Sequence, residues 1–123
     1  MKRVAGASLC TALFFAVGSL PAGPGGSQGY FDKVLHAIGF GLLAGLWCAA
    51  LVELRPRLGA LGVAAGGFAL SSAFGGLLEL WQGLIGYRSC ELLDFVADVF
   101  GALVVAAACG ALRARGRGAP TTA

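Results

Sequence analysis

The sequence predicts an all-α protein, a polytopic transmembrane bundle of four helices with almost no soluble mass. Three observations predict it. Only 12% of the residues are charged, against about 25% in a soluble domain, too few to cover a water-facing surface. Mean hydropathy is +0.83. The apolar residues also fall into four runs of about 17–25 residues, each long enough to cross a ~30 Å hydrocarbon core at ~1.5 Å per residue. The chain therefore reads as one transmembrane domain, residues 1–112, followed by a polar, basic tail at 113–123 that is expected to be disordered.

The first span covers approximately residues 4–20. Met1-Lys2-Arg3 before it also resembles the start of a signal peptide. Leu20 occupies the −3 position for a cut after Ala22, where a small residue is wanted, so a retained helix is expected. Residues 21–31 are rich in Gly and Pro and form a loop that closes on Tyr30 and Phe31, aromatics suited to a membrane interface. Trp81 and Tyr87 suit the same belt. The second span covers approximately 32–54, and Arg55-Pro56-Arg57 makes a polar turn. The third covers approximately 58–84, residues 86–91 make another turn, and the fourth covers approximately 92–112.

Glycine is abundant, at 21 residues. Inside a membrane, small residues let helix backbones approach closely, and the pairs Gly41/Gly45 and Gly62/Gly66 have the small-xxx-small spacing. The cysteines Cys10, Cys48, Cys90 and Cys109 show no C-x-x-C spacing, and free thiols are expected. Ser71 and Ser72 are expected to bond their own helix backbone. Basic runs interleaved with aromatics are absent, which argues against a nucleic-acid partner.

Charge placement orients the bundle. With four spans, Lys2, Arg3, Arg55, Arg57, Arg113, Arg115 and Arg117 share one side, while Lys33 and Arg88 lie on the other. The positive-inside rule puts both termini in the cytoplasm. Glu53 falls on the basic side next to Arg55, where a solvated surface role is expected.

The remaining ionisable residues gather at the opposite end. Asp32 and His36 are spaced i,i+4 and share a face, with Lys33 beside them. Glu79 and Gln82 are spaced i,i+3, and Asp94 and Asp98 i,i+4, with Gly101 on the same stripe. Arg88 and Glu91 lie in the turn between. Asp98 is the most informative residue, because a carboxylate this far into a span needs a partner. Plainer roles stay open: Asp32 as a helix N-cap, Lys33 snorkelling to headgroups, and the whole set as interhelical glue. The first span carries none of this chemistry.

On these residues the chain resembles the VanZ-like family. The resemblance rests on DKVLHAIGF at 32–40, ELWQ at 79–82 and YRSCELLDFVADVFG at 87–101. The family pattern is Asp-Lys-x-x-His at the start of one helix, Glu-x-x-Gln at the end of the next, an Arg, then Asp with Asn or Asp four residues later and a Gly. It falls here on Asp32, Lys33, His36, Glu79, Gln82, Arg88, Asp94, Asp98 and Gly101. The match covers approximately residues 30–112, and Asp98 stands where the family often has Asn. The resemblance implies a small multi-pass protein of the bacterial cell (inner) membrane, in a family named for a teicoplanin-resistance member. It implies a class and a site but no reaction.

The expected function is an outer-leaflet polar site that binds an anionic lipid or cell-envelope precursor headgroup and modulates glycopeptide susceptibility, since Lys and Arg suit phosphate. The alternatives are a membrane-embedded enzyme acting on a lipid-linked phosphate, a small transporter component, which would require a homo-oligomer, and a purely structural protein. His36 and the carboxylates offer donors for a divalent cation, but no tight ligand motif such as H-E-x-x-H is present, so neither a metal nor a cofactor is expected.

Overall fold

A computed structural model describes residues 1–21, 29–86 and 91–118. They form four helices: α1 (Lys2–Gly18), α2 (Tyr30–Leu54), α3 (Ala60–Ile85) and α4 (Leu92–Gly118). Three of them, α2, α3 and α4, are long and apolar enough to cross a membrane. With 17 residues, α1 is about 26 Å long, a little less than the hydrocarbon thickness. Leucines such as Leu42, Leu61, Leu77, Leu84 and Leu103 stand on the outer surface of the bundle, which is an apolar surface suited to lipid rather than water.

The helix boundaries follow local chemistry. α2 starts after Gly29 without a side-chain cap, so Asp32 is not the N-cap; it sits in the first turn, where a negative charge meets the positive end of the helix dipole. α3 stops at Gly86, whose φ of 77° is the left-handed conformation that a glycine adopts without penalty. α4 runs further than the apolar pattern suggests: residues 113–118, expected to be disordered, continue the helix. The reason is side-chain anchoring. Arg113 donates to the carbonyls of Pro56 and Leu58, and Arg117 to that of Pro56. The turn between α2 and α3 has carbonyls to satisfy, and the basic end of α4 supplies the donors.

α2 and α4 form the closest pair. Their contacts run in the same order along both helices, so the two are parallel: Lys33 meets Asp94, His36 meets Asp98, Ala37 meets Gly101, and Gly41 and Gly45 meet Val105. A Cβ on Gly101 would collide with the carbonyl of Ala37, and one on Gly41 would lie 3.1 Å from the carbonyl oxygen of Gly101. Here glycine lets the two backbones touch.

α3 closes the core from the other side. Gly66 receives Leu51 and Gly67 receives Cys48 and the carbonyl of Ala44. Gly62, expected to pack against a helix, instead accommodates Leu58 of the preceding turn. The small-residue contact on α3 is therefore Gly66-Gly67, shifted from the i,i+4 spacing read in the sequence. Ser71 does not bond its own helix: its hydroxyl donates across to the carbonyl of Phe40 on α2 at 2.8 Å. Phe40, Leu43 and Leu78 form one core cluster, and Ala44, Cys48, Val63, Ala102 and Ala106 another, deeper toward the basic end. Cys10, Cys48 and Cys109 are free thiols; Cys90 lies outside the described residues.

α1 leans on α2 and touches α3 with its C-terminal end. The Phe14 ring sits where a Cβ of Gly39 would be, Trp47 donates to Thr11, and Phe15 packs near Phe74 and Trp81. Glu53 stays partly exposed at the basic end and also anchors the start of α1. It accepts the backbone N–H groups of Arg3 and Val4 at 3.0 and 3.2 Å, satisfying donors that the first turn of a helix leaves unpaired.

The close contact predicts a sharp difference between two glycines. Gly101→Ala should cost about 3 kcal/mol or more, since backbone rather than a flexible side chain occupies the space. Gly6→Ala, with nothing within 4 Å of the added Cβ, should be neutral or slightly stabilising. Thermal unfolding of both variants in detergent checks this.

Candidate functional site

The α2–α4 contact determines what stands beside it. One turn above Gly101, Asp98 is fully buried, and its Oδ1 lies 2.8 Å from Nδ1 of His36. The imidazole is also held by its own helix, stacked on Phe40 at an interplanar angle of 10°. One turn further, Lys33 Nζ donates to Asp94 at 2.9 Å and to Glu91 at 3.3 Å. Both pairs join the first two turns of α2 to the start of α4.

α3 contributes from the opposite side. Glu79 is buried, and its Oε2 accepts the backbone N–H of Glu91 at 2.9 Å. That bond caps the approach to α4. Gly75, one turn before Glu79, faces Asp98: a Cβ there would lie 2.9 Å from Oδ2. Gln82 is turned elsewhere, donating to the carbonyl of Gly18 at the end of α1. Trp81, read as an interface aromatic, donates to the hydroxyl of Ser19 and so ties α3 to α1. Tyr30 and Phe31 are strongly exposed, in keeping with an interfacial position.

The structure thus brings Lys33, His36, Glu79, Asp94 and Asp98 into one cluster, with Asp32 at its margin and Gln82 nearby. Arg88 lies outside the described residues. Two sets of side chains each offer donor atoms lying within 4.8 Å of one another: Asp32, His36 and Asp94, and His36, Glu79 and Asp98. Chain spacing does not reveal these sets, because each draws its members from more than one helix. Among the described residues three buried side-chain oxygens have no hydrogen-bond partner: Oε1 of Glu79, Oδ2 of Asp98 and the hydroxyl of Ser72, expected to bond its own helix.

An apolar groove opens beside the cluster. It has a volume of about 380 Å³ and is lined by Leu13, Phe14 and Val17 of α1, Leu35 of α2 and Leu78 of α3, with Asp32, His36 and Gln82 on its wall. The first helix, expected to carry none of the polar chemistry, supplies the apolar side of this groove. Its residues carried no signal because they are ordinary apolar residues of a span. The sequence places Glu91 in the outer turn among the gathering ionisable residues but does not mark it as a site residue, since in a turn no period marks a facing side.

These features define a helical membrane protein with a buried polar cluster on three helices and a lateral apolar groove leading to it. No family model matches the chain, and neither the curated proteins nor the solved structures searched contain a match.

The His36–Asp98 pair has a measurable signature. Asp98→Asn keeps an oxygen that accepts from His36, whereas Asp98→Ala leaves the ring unpaired in a buried setting. The Ala variant should be less stable than the Asn variant by about 1–3 kcal/mol, measured by thermal unfolding in the same detergent.

Proposed function

We propose that the chain is a VanZ-like protein of the bacterial inner membrane, with both termini cytoplasmic and the polar cluster in the outer leaflet. In this reading it binds the headgroup of an anionic lipid or cell-envelope precursor and thereby modulates teicoplanin susceptibility. One observation carries the reading: the groove between α1, α2 and α3 is apolar along its length and meets Asp32, His36 and Gln82. That is the shape of a site for an amphiphile, with room for part of a hydrocarbon chain and polar groups at one end.

Charge narrows the headgroup. Carboxylates outnumber cations in the cluster, and Lys33 is engaged by Asp94 and Glu91. A bare phosphate would meet more repulsion than attraction. A headgroup that also carries hydroxyl, amide or ammonium donors fits better, since carboxylates accept from these. Lys33 and Arg88 then provide the attraction for its anionic part.

A second reading rests on the His36–Asp98 pair. A buried carboxylate that orients an imidazole is the arrangement of a general base, and it would suit hydrolysis or transfer at a lipid-linked phosphate. Phosphate release from a polyprenyl pyrophosphate by purified protein would favour this reading over simple binding.

The binding reading is tested in a glycopeptide-sensitive host. Leu35→Trp should fill the groove, and Arg88→Gln should remove the outer-side guanidinium. Each variant should lower the teicoplanin resistance conferred by the wild-type chain by at least fourfold and reduce binding to phosphatidylglycerol vesicles. If both variants fold, by circular dichroism, and leave susceptibility and vesicle binding unchanged, the reading fails.

A further inference from the structure

We propose that His36, Glu79 and Asp98 form a binding site for one divalent first-row cation inside the bundle. The inference is independent of the lipid reading and stands on geometry and on atoms the hydrogen-bond network leaves unsatisfied.

The three donors come from three different helices, α2, α3 and α4, and lie within 4.8 Å of one another. A cation bound at about 2.0–2.2 Å holds adjacent ligands about 3 Å apart; Nδ1 of His36 and Oδ1 of Asp98 stand 2.8 Å apart around a shared proton, which the cation would replace. Small rotations of Glu79 would complete the set.

Two orphaned oxygens point to a ligand. Asp98 is 0% and Glu79 3% exposed, yet Oδ2 of Asp98 and Oε1 of Glu79 bond to nothing. A buried oxygen without a donor is uncommon in folded proteins and calls for an ion or a water. Each carboxylate has its other oxygen occupied, Oδ1 by His36 and Oε2 by the Glu91 N–H. In the unbound state these bonds position the two side chains, and one oxygen of each remains available. Gly75 keeps the wall beside Oδ2 open, since a Cβ there would come within 2.9 Å of that oxygen.

Charge favours a divalent cation over a water. Two ionised carboxylates in a bilayer are costly, and Lys33 is engaged with Asp94 and Glu91. A 2+ ion between Glu79 and Asp98 makes the unit neutral, which removes most of that burden. One imidazole with two carboxylates is a mixed nitrogen and oxygen set, suited to Mn²⁺, Fe²⁺ or Zn²⁺. The cluster is not sealed on every side: His36 borders the α1–α2–α3 groove, and Glu79, with Glu91, borders a second groove between α3 and α4.

The test exploits the chain's single histidine. Full-length protein is purified through a tag that lacks histidine, stripped with chelator, placed in nanodiscs of zwitterionic lipid and titrated with Mn²⁺. Pulsed electron paramagnetic resonance of the wild type should show coupling to one imidazole nitrogen, which can only be His36, at one Mn²⁺ per chain. Glu79→Gln and Asp98→Asn should weaken Mn²⁺ binding at least tenfold, and Glu53→Gln, at the opposite end of the bundle, should not. Absence of nitrogen coupling in the wild type overturns the proposal, as does unchanged binding in folded Glu79→Gln and Asp98→Asn. Where those variants fail to fold, the wild-type nitrogen signal decides alone.

Discussion

The whole arrangement depends on the backbone contact between α2 and α4. Gly101 lies against the carbonyl of Ala37, and Gly41 against the carbonyl of Gly101. In a membrane, apolar surface gives helices little reason to prefer each other over lipid, so close packing and interhelical polar bonds supply the association. With the helices this near and parallel, residues one and two turns above the contact come within reach of one another. His36 finds Asp98, and Lys33 finds Asp94, without either side chain having to stretch.

That contact divides the bundle into two regions with different physics. Below it the interface is made of small and aliphatic residues, Ala44, Cys48, Val63, Ala102 and Ala106, and stability comes from packing. Above it the interface is polar and partly unsatisfied. Groups that would be expensive in hydrocarbon are held in pairs and small networks, and the remaining unpaired oxygens of Glu79 and Asp98 sit where three helices converge. A polar set kept only to glue helices would have its strongest acceptors paired; here the scaffold bonds occupy one oxygen of each carboxylate and leave the other.

α1 works differently from the rest. The residues it turns toward the groove, Leu13, Phe14 and Val17, are apolar, and its role is spatial. Phe14 settles on Gly39, and Trp81 and Gln82 hold the C-terminal end of α1 through Ser19 and Gly18. With both ends held, the helix stands as a wall beside His36 and turns an exposed face of α2 and α3 into a groove. A helix without chemistry of its own thereby gives the polar cluster a lateral opening toward lipid.

The sequence by itself determined the class of fold, the approximate extent of the apolar runs and the helical stripes that carry most of the polar set. Those properties are local: apolar length, the i,i+3 and i,i+4 stripes of Asp32/His36, Glu79/Gln82 and Asp94/Asp98, and the glycine content are all written along the chain. What only the tertiary structure decided is which of these residues meet. Gln82 leaves the cluster for α1, Glu91 enters it, Gly67 and Gly75 take contacts that Gly62 does not make, and the arginines of the supposed tail lengthen α4 by bonding the Pro56 and Leu58 carbonyls. The reason is that a helical period says which face a residue occupies but not the rotation of that face toward its neighbours. That rotation follows from where backbones can touch, and the touching point, Ala37 against Gly101, joins residues far apart in the chain.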